Sequence, residues 1–394
     1  MNPFFRLFSS MRLTVWLLAL SMIMIFFGTL DQARFGIRYT QEMYFESLLA
    51  FWQYPMQWPG GRFLNWLHLP IPGGYLIGPL LLVNLVTAHF RYFRMRWRTL
   101  GIAAIHGGIA LLLIGQLLNQ VQQEDNFMWI EEGETANYLQ SFHRDELVII
   151  DKTDPETDRV ISIPQEHFRR APQTIQHHAL PFRVTVHEHF KNAVLARADD
   201  LPGNPEIQAN RGIAPALNLV ARERPPTYVT EERNMTTAVV ELVGPNNSLG
   251  TWLVSNIFEG RVPPQRFEFN GRKYEISLRF ERRYLPYEIE LLEFAHDRYP
   301  GTEIPRNFSS LVHLRDPRMG DDRPFLIYMN HPLRYDGLTF YQASFGNDDT
   351  ASMFQVVENP SWWIPYAACT LVTLGLLFQF GYVFRRFLLR RIAR

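Results

Sequence analysis

The sequence predicts a membrane protein with four transmembrane α-helices and a large extracytoplasmic antiparallel β domain, either a sandwich or an open barrel. Two observations predict this class. Apolar runs without charge stand out in the chain, and no Asp or Glu occurs in 1–30, 75–118 or 361–394. Between 119 and 360, in contrast, apolar and polar residues alternate with period two, and turn residues are frequent.

These features divide the 394 residues into three parts. Residues 1–118 hold three predicted helices and an aromatic connection at 31–74. Residues 119–360 form the predicted β-rich domain, and residues 361–394 hold the fourth helix and a basic tail.

Four uncharged apolar runs are the predicted spans, because about twenty apolar residues let an α-helix cross the hydrocarbon core. The runs are 13–30, 75–90, 99–118 and 362–384. The second is short, but a bilayer can thin, or flanking side chains can snorkel, to accommodate it. The first is long for a cleavable secretory signal, and Gly-Thr-Leu-Asp-Gln at its end is a poor cleavage site. We therefore predict a retained span.

Arginine placement predicts the orientation of these spans. Segments 1–12, 91–98 and 385–394 carry two, four and five Arg, whereas 31–74 has three Arg balanced by three acids. The positive-inside rule places both termini and the 91–98 turn in the cytoplasm. Segments 31–74 and 119–360 then lie outside.

The formal net charge of zero hides an uneven distribution of charge. The segment 119–360 carries 25 Lys and Arg against 36 Asp and Glu, or −11. This balance argues against a nucleic-acid partner. The basic cytoplasmic flanks suit the anionic inner leaflet of a lipid bilayer.

The connection 31–74 is rich in Trp, Phe and Tyr, which gather at membrane–water interfaces. We predict one or two short interfacial helices there, with turns at Pro59-Gly60-Gly61 and Pro72-Gly73-Gly74. An aromatic belt explains the composition more simply than a cofactor-binding platform does.

The outer segment contains ten predicted strands. They are RVISI, PFRVTVHEHF, ALNLVA, TTAVVELV, GTWLVS, KYEISLRF, YEIELLEF, SSLVHL, LTFYQASF and MFQVVE. Asn270-Gly271 predicts a two-residue hairpin, and Asp336-Gly337 predicts a turn before an aromatic strand. Looser tracts are expected near 198–215 and 224–235.

One histidine lies inside the third apolar run. His106 occurs among twenty residues without a charge, and a titratable ring there costs free energy unless it is paired, liganded or beside water. It is therefore a candidate ligand, although a neutral ring bonded to a neighbouring helix would also satisfy the sequence.

A second histidine, His89, ends the second run. Along the helix axis it lies about 3 Å from Arg91, whereas His106 lies about 12 Å from Arg98. This mismatch of about 9 Å in depth argues against one metal between the two rings. We expect His89 to snorkel to the interface and His106 to have another partner.

Three glycines on the third span form a small-residue seam. Gly101, Gly108 and Gly115 repeat every seven residues, and such seams let helix backbones approach closely in membranes. His106 is about 160° from Gly108 around the helix. If the seam packs within this protein, His106 faces outward, towards another subunit. The seam could equally face the partner.

Candidate chemistry in the outer segment is sparse. His187 and His189 alternate on one face of a predicted strand and could bind a metal, but no third ligand is evident. Ordinary surface histidines explain them better, and the same holds for His177-His178 in a loop. Whether His313 or His331 matters is left open.

Several enzyme classes lack their motifs here. There is no Gly-rich phosphate loop, GxSxG or HExxH in the sequence. The single cysteine, Cys369, lies in the last apolar run, so the outer segment has no disulfide, thiolate metal site or CxxC.

Three stretches resemble the ResB-like proteins, also called CcsB, of the system II pathway of cytochrome c maturation. They are SSMRLTVWLLALSMIMIFFGTLDQ at the start, IHGGIALLLIG in the third span and NHPLRYDGLTFYQASF before the last span. The first and last are the more specific, and the third is supportive only. The resemblance covers the whole chain, with three spans, a large outer domain and a final span.

The resemblance implies a subunit of a complex in the bacterial cytoplasmic membrane. With a CcsA (ResC) partner, the complex would carry haem b outward and present it to apocytochrome c for thioether bonds with reduced CxxCH thiols. His106 matches the family's transmembrane axial ligand, which pairs with a histidine of the partner. The family's tryptophan-rich haem-handling segment belongs to the partner and has no match here.

In this interpretation the chain is a non-catalytic or co-catalytic subunit of a cytochrome c synthetase complex. The outer domain would help dock the partner, the apocytochrome or a thiol–disulfide reductant, which must supply the cysteines. Two alternatives stay open. One is a b-type haem electron-transfer subunit in which His89 and His106 ligate one haem. The other is a non-haem anchor with a protein-binding β domain.

Overall fold

The computed structural model describes residues 3–94, 96–200, 209–226, 234–301, 305–346 and 350–392. They form two compact units. The helical unit lies within Met1–Gln123 and Asn359–Arg394, and the β unit within Glu124–Thr227 and Arg233–Glu358. The looser tracts predicted near 198–215 and 224–235 fall partly outside the described residues.

Helices account for most of the helical unit. In chain order, the α-helices of the described residues are α1 (Pro3–Phe8), α2 (Met11–Phe35), α3 (Ile37–Thr40), α4 (Gly61–Leu64), α5 (Gly74–Tyr92), α6 (Leu100–Gln122), α7 (Ile213–Leu217, in the β unit) and α8 (Ile364–Ile392).

Three of these helices are long and apolar enough to cross a membrane. They are Met11–Phe35, Ile364–Ile392 and Trp97–Gln122, the last being α6 with its preceding 3₁₀ turn. The second predicted span forms α5, a helix of 19 residues that contains Pro79 and the polar Asn84. It falls outside this apolar set.

The glycine seam of α6 packs against α8. A Cβ atom on Gly108 would lie 2.5 Å from Cγ2 of Val372 and 2.9 Å from the carbonyl oxygen of Ala368. Gly101 approaches the backbone of Gly375 equally closely, since a Cβ there would lie 2.8 Å from its carbonyl oxygen. The seam therefore packs within this chain, which answers the question that the sequence left open.

The connection between α2 and α5 contains two short helices and also a β ribbon, which was not predicted from the sequence. Strands β1 (Leu49–Gln53) and β2 (His68–Pro72) pair antiparallel, while helix is limited to α3, α4 and a π-helical turn at Gln41–Phe45. Alternation along β1 buries Ala50 and Trp52 in a core with Tyr44. Period two within an aromatic stretch was the overlooked signal.

Strands dominate the β unit. They are β3 (Glu124–Glu131), β4 (Thr135–Asp151), β5 (Arg159–Pro164), β6 (Gln173–Ile175), β7 (Arg183–Phe190), β8 (Ala193–Arg197), β9 (Leu219–Glu223), β10 (Thr237–Val243), β11 (Ser248–Ser255), β12 (Gln265–Phe269), β13 (Arg272–Arg298), β14 (Pro305–Asp316), β15 (Asp321–Tyr328), β16 (Leu333–Tyr335), β17 (Leu338–Gly346) and β18 (Ala351–Glu358).

These strands form three antiparallel sheets. The largest has the order β15-β14-β13-β4-β3-β18-β17-β16, with β12 paired to β13 and β5 to β4. A second sheet has the order β11-β10-β7-β6, and β8 pairs with β9. The predicted antiparallel β domain is therefore confirmed.

Two large hydrophobic cores organise the described part of the β unit. One takes side chains from both larger sheets, including Leu147, Val186 and Val240. The other is enclosed by the ten-stranded sheet alone and includes Leu291 and Phe340. The large sheet is therefore rolled around a core of its own, while part of it also packs against the four-stranded sheet.

Both predicted two-residue turns are present. Phe269 pairs with Arg272 across Asn270-Gly271, with φ of 50° and 73°. Tyr335 pairs with Leu338 across Asp336-Gly337, with φ of 47° and 77°. Two positive φ values in succession define the hairpin turns that favour Asn-Gly and Asp-Gly.

Candidate functional site

The two histidines of the helical unit contact each other. His89 lies in the last turn of α5 and His106 in the second turn of α6, and their Nδ1 atoms are 3.4 Å apart. The ring centroids are 5.6 Å apart, with the planes at 78°. The prediction that depth keeps these rings apart is wrong.

The predicted difference in depth was too large because it was measured from Arg91 and Arg98, which do not mark the helix ends. Arg91 belongs to α5, which continues to Tyr92, and α6 begins only at Leu100. Measured from these helix ends, His89 is about 4.5 Å deep and His106 about 9 Å deep. Side chains reach across the remaining difference.

His106 also faces a neighbour that the seam argument did not anticipate. The seam faces α8, and His106, on the other side of α6, contacts α5 of the same chain. Its ring is half-buried, and the flanking Ile102 and Ile109 on α6 are each more than a third exposed. The ring therefore borders an open apolar surface.

His89 is held from a second side as well. The ring of Phe93, just beyond α5, stacks on it with centroids 4.2 Å apart and planes at 20°. One face of the His89 ring is therefore covered by Phe93.

Polar contacts fix α5, and with it His89, to the break between α1 and α2. The amide of the buried Asn84 donates to the carbonyl oxygen of Phe8 at 2.7 Å and accepts from the Thr14 hydroxyl at 2.6 Å. Arg91 donates to the Ser9 hydroxyl at 2.7 Å. Sequence reasoning missed Asn84, although an amide inside an apolar run was the available signal.

The protonation chemistry of this pair limits what it can bind. A neutral imidazole has one N–H and one lone pair, so a hydrogen bond between two Nδ1 atoms needs one donor and one acceptor ring. The donor ring keeps its lone pair on Nε2, whereas the acceptor ring carries its proton there. The contact therefore offers one Nε2 lone pair to a metal at a time.

His187 and His189 of the β unit have structural neighbours. His187 Nε2 is 2.8 Å from Oε2 of Glu241, and the His189 ring meets Phe168 edge-on at 5.5 Å. Burial lowers the pKa of His189. Among the described residues, no three His, Cys, Asp or Glu side chains form a group that could hold a metal.

A β-bulge explains why His187 and His189 do not share a face. Val186 pairs with Val240 but Glu188 pairs with Val239, so His187 is the extra residue. His189 then lies opposite Ala238, on the face of the core shared by the two larger sheets. The prediction of one common face is wrong because a bulge shifts the alternation by one residue.

The stretch 330–348, which begins with the motif NHPLRYDGLTFYQASF, contains β16 and β17 at one edge of the ten-stranded sheet. The Tyr335 hydroxyl lies 3.0 Å from Asp316 and 2.9 Å from Asp321, at the turn between β14 and β15. Arg318 donates to Asp316 at 2.8 Å and to Asp336 at 3.0 Å, and its guanidinium holds the pKa of Asp316 at about 2. Leu338 and Phe340 enter the core, while 347–349 lie outside the described residues.

A groove of about 380 Å³ lies beside this motif. Aromatic, apolar and polar side chains line it, namely Phe308, Tyr328, Met329, Asn330, Pro332, Arg334, Tyr341 and Gln342. The ring of His331 stacks between Tyr328 and Phe325 nearby.

Comparison with known proteins connects part of the β unit to a family. Residues 268–353 match the model of the ResB-like family. Protein NrfI of Wolinella succinogenes is 33% identical over 95 residues, which cover 24% of this chain and 10% of NrfI. Cytochrome c biogenesis protein CcsB of a Synechococcus species is 37% identical over 78 residues, covering 20% of this chain and 17% of that protein.

The matches span only a small part of these relatives. A solved structure of MucB in complex with the periplasmic part of MucA has a TM-score of 0.11 and 10% identity, over 67% of this chain and 97% of that one. This likeness carries no argument. The resemblance to the ResB-like family is confirmed by the family match and the two relatives.

Proposed function

We propose, from the match of residues 268–353 to the ResB-like family, that this chain is a ResB-like protein and a haem-binding subunit of a cytochrome c maturation complex. With a CcsA (ResC) partner it moves haem b across the bacterial cytoplasmic membrane for attachment to apocytochrome c. The contact between His89 and His106 carries the proposal, because it places two imidazoles beside an apolar surface.

His106 is the proposed axial ligand from this chain. Imidazole nitrogen is a common ligand of haem iron. Because the pair offers one Nε2 lone pair at a time, a six-coordinate iron takes its second ligand from the partner. The apolar side chains of Ile102 and Ile109 suit the apolar face of a porphyrin.

The proposed topology has four spans with both termini in the cytoplasm. Helix α5 has 19 residues, which gives about 28 Å of length against a hydrocarbon core of about 30 Å. Arg91, Arg94, Arg96 and Arg98 at the α5–α6 turn support a cytoplasmic position for it. The β unit then lies outside, where it docks the partner, the apocytochrome or a thiol reductant.

The chain itself is proposed to bind and position haem rather than to carry out attachment. Among the described residues, the free cysteine of this chain is Cys369, which lies in α8. Thioether formation needs thiols, and these come from the CxxCH segment of the apocytochrome. The chain is then a non-catalytic or co-catalytic subunit.

The visible spectrum of the complex purified with its CcsA-type partner tests the proposal. We expect a six-coordinate haem band in the wild type and its loss in His106→Ala, with the partner still co-purifying. The matched control is His68→Ala. The Nδ1 atom of His68 lies 2.8 Å from the Trp66 carbonyl oxygen in the aromatic connection. An unchanged spectrum in His106→Ala would refute the ligand, and a colourless wild type would favour a non-haem anchor.

A b-type haem subunit is the second candidate, because both rings already lie in one place. Two imidazoles on one iron need ligating nitrogens about 4 Å apart, with the metal about 2 Å from each. The observed contact is 3.4 Å and uses Nδ1 atoms, so both rings would have to turn and separate. Redox-active haem in the isolated chain, lost with either histidine, would establish this candidate.

A further inference from the structure

We propose that His89 is a positioning residue for His106. The Nδ1–H of His106 donates a hydrogen bond to Nδ1 of His89, which leaves the lone pair of His106 Nε2 directed to iron. This inference rests on the proposed haem-binding function and assigns a role to the second histidine.

The contact geometry supports such a bond. The Nδ1 atoms are 3.4 Å apart, and the ring planes are close to perpendicular, at 78°. At this distance the bond is long for N–H···N. Ligand binding at Nε2 makes the Nδ1–H more acidic and so strengthens its donation to a basic acceptor.

The surroundings distinguish the two roles. Phe93 covers one face of His89, and Asn84 fixes α5 to the start of α2, so His89 is an anchored acceptor. His106 is flanked along α6 by Ile102 and Ile109, each more than a third exposed. Apolar space for a macrocycle is therefore present beside His106, while Phe93 covers one face of the His89 ring.

The bond has two chemical consequences. It selects the tautomer of His106 that can bind a metal, and it increases the electron donation of the ring to iron. Loss of an outer-shell partner of this kind typically lowers metal affinity about 10- to 100-fold. Loss of the donation also makes the bound iron easier to reduce, which raises its reduction potential.

The test compares the complex with its CcsA-type partner as wild type, His89→Leu, His89→Gln and His106→Ala. Each sample is titrated with haemin, and the reduction potential and spectrum of the loaded complex are recorded. Co-purification of the partner checks folding. Gln keeps a hydrogen-bond acceptor on a side chain of similar reach, so it separates loss of the bond from loss of the ring.

We expect His89→Leu to keep a six-coordinate band at saturating haemin, with affinity about 10- to 100-fold lower and a raised potential. His89→Gln should restore most of both. Loss of six-coordination in His89→Leu, as in His106→Ala, would make His89 a ligand itself and overturn the inference. Wild-type affinity and potential in His89→Leu would overturn it too, whereas a wild type that binds no haem would overturn the proposed function along with it.

Discussion

Histidines have different neighbours in the two units of this protein. In the helical unit, His89 and His106 contact each other. In the β unit, His187 and His313 lie 2.8 and 2.7 Å from carboxylates of Glu241 and Asp322, and His331 stacks between aromatic rings. These three histidines of the β unit therefore have neighbours that explain them structurally, whereas His89 and His106 leave ring nitrogens for another role.

The two units also differ in how they hold their elements together. The β unit buries an ion pair in which Arg279 donates to Glu146 at 2.7 Å, with side chains 9% and 3% exposed. The helical unit instead brings α6 and α8 into backbone contact at glycines. Polar partners accompany the buried charges of the sheet, whereas small residues let the apolar helices α6 and α8 pack closely.

The largest expected effect separates the histidines of the helical unit from those of the β unit. In the complex with its partner, His106→Ala should abolish the six-coordinate haem band, because the variant lacks the proposed ligating nitrogen. His187→Gln combined with His313→Gln should leave the band intact, since both rings have carboxylate neighbours in the β unit. Absorption spectra at equal protein concentration provide the measurement. Loss of the haem band in the His187→Gln, His313→Gln double variant would contradict this difference between the two units.

The buried ion pair of the β unit predicts the next largest effect. Glu146→Leu should lower the free energy of unfolding by about 3–5 kcal/mol, because Arg279 is left buried without its partner. Urea unfolding of the full chain in detergent, followed by circular dichroism of the β structure, measures it.

Two further variants sharpen that result. Arg323→Ala, in an exposed pair with Asp321, should change stability by no more than about 1 kcal/mol. Adding Arg279→Leu to Glu146→Leu should recover much of the loss, because the unpaired charge is removed. If Glu146→Leu costs no more than Arg323→Ala, the pair does not hold the sheet.

The glycine seam predicts an intermediate effect in the helical unit. Gly108→Ala should destabilise the α6–α8 contact by about 1–3 kcal/mol, since its Cβ would overlap Val372 and the backbone of Ala368. The adjacent Gly107 is the matched control, because a Cβ there would lie 3.7 Å from Leu371, an ordinary contact. Thermal unfolding in detergent, followed by tryptophan fluorescence, compares the two. Equal unfolding midpoints for Gly108→Ala and Gly107→Ala would show that α6 and α8 can shift apart to accept a methyl group.

Acidification should weaken the β unit modestly through His189. Burial lowers its folded pKa below the ordinary value of 6.5, so the unfolded chain takes up the proton first. The neutral His189 ring makes its full contribution to stability above about pH 6.5. Below that pH, the free energy of unfolding falls by up to about 1.4 kcal/mol per pH unit until the folded ring titrates.

Urea midpoints at pH 7.0 and 5.5 measure this dependence. His189→Phe should flatten it, whereas His178→Gln, in an exposed loop position, should leave it unchanged. If the urea midpoint of His189→Phe changes with pH as much as that of the wild type, another group causes the acid sensitivity.

The sequence by itself determined the elements with strong local signals. Long apolar runs predicted four spans, and three of them form helices long and apolar enough to cross a membrane. Period-two alternation predicted the antiparallel β domain. Asn270-Gly271 and Asp336-Gly337 marked their turns because these residues adopt positive φ at low cost. The motif before the last span was one of the two more specific stretches of the family resemblance, and the family match includes all of it.

The tertiary structure decided what depends on register and on distant partners. Strand β4 escaped detection because Leu147, Val148 and Ile149 are all buried, which removes the alternation. A bulge placed His189 on a different face from His187. The contact of His89 with His106 depends on where two helices end and how a short turn joins them. Sequence spacing along one helix does not contain that information, because it measures depth within a helix and not the offset between two.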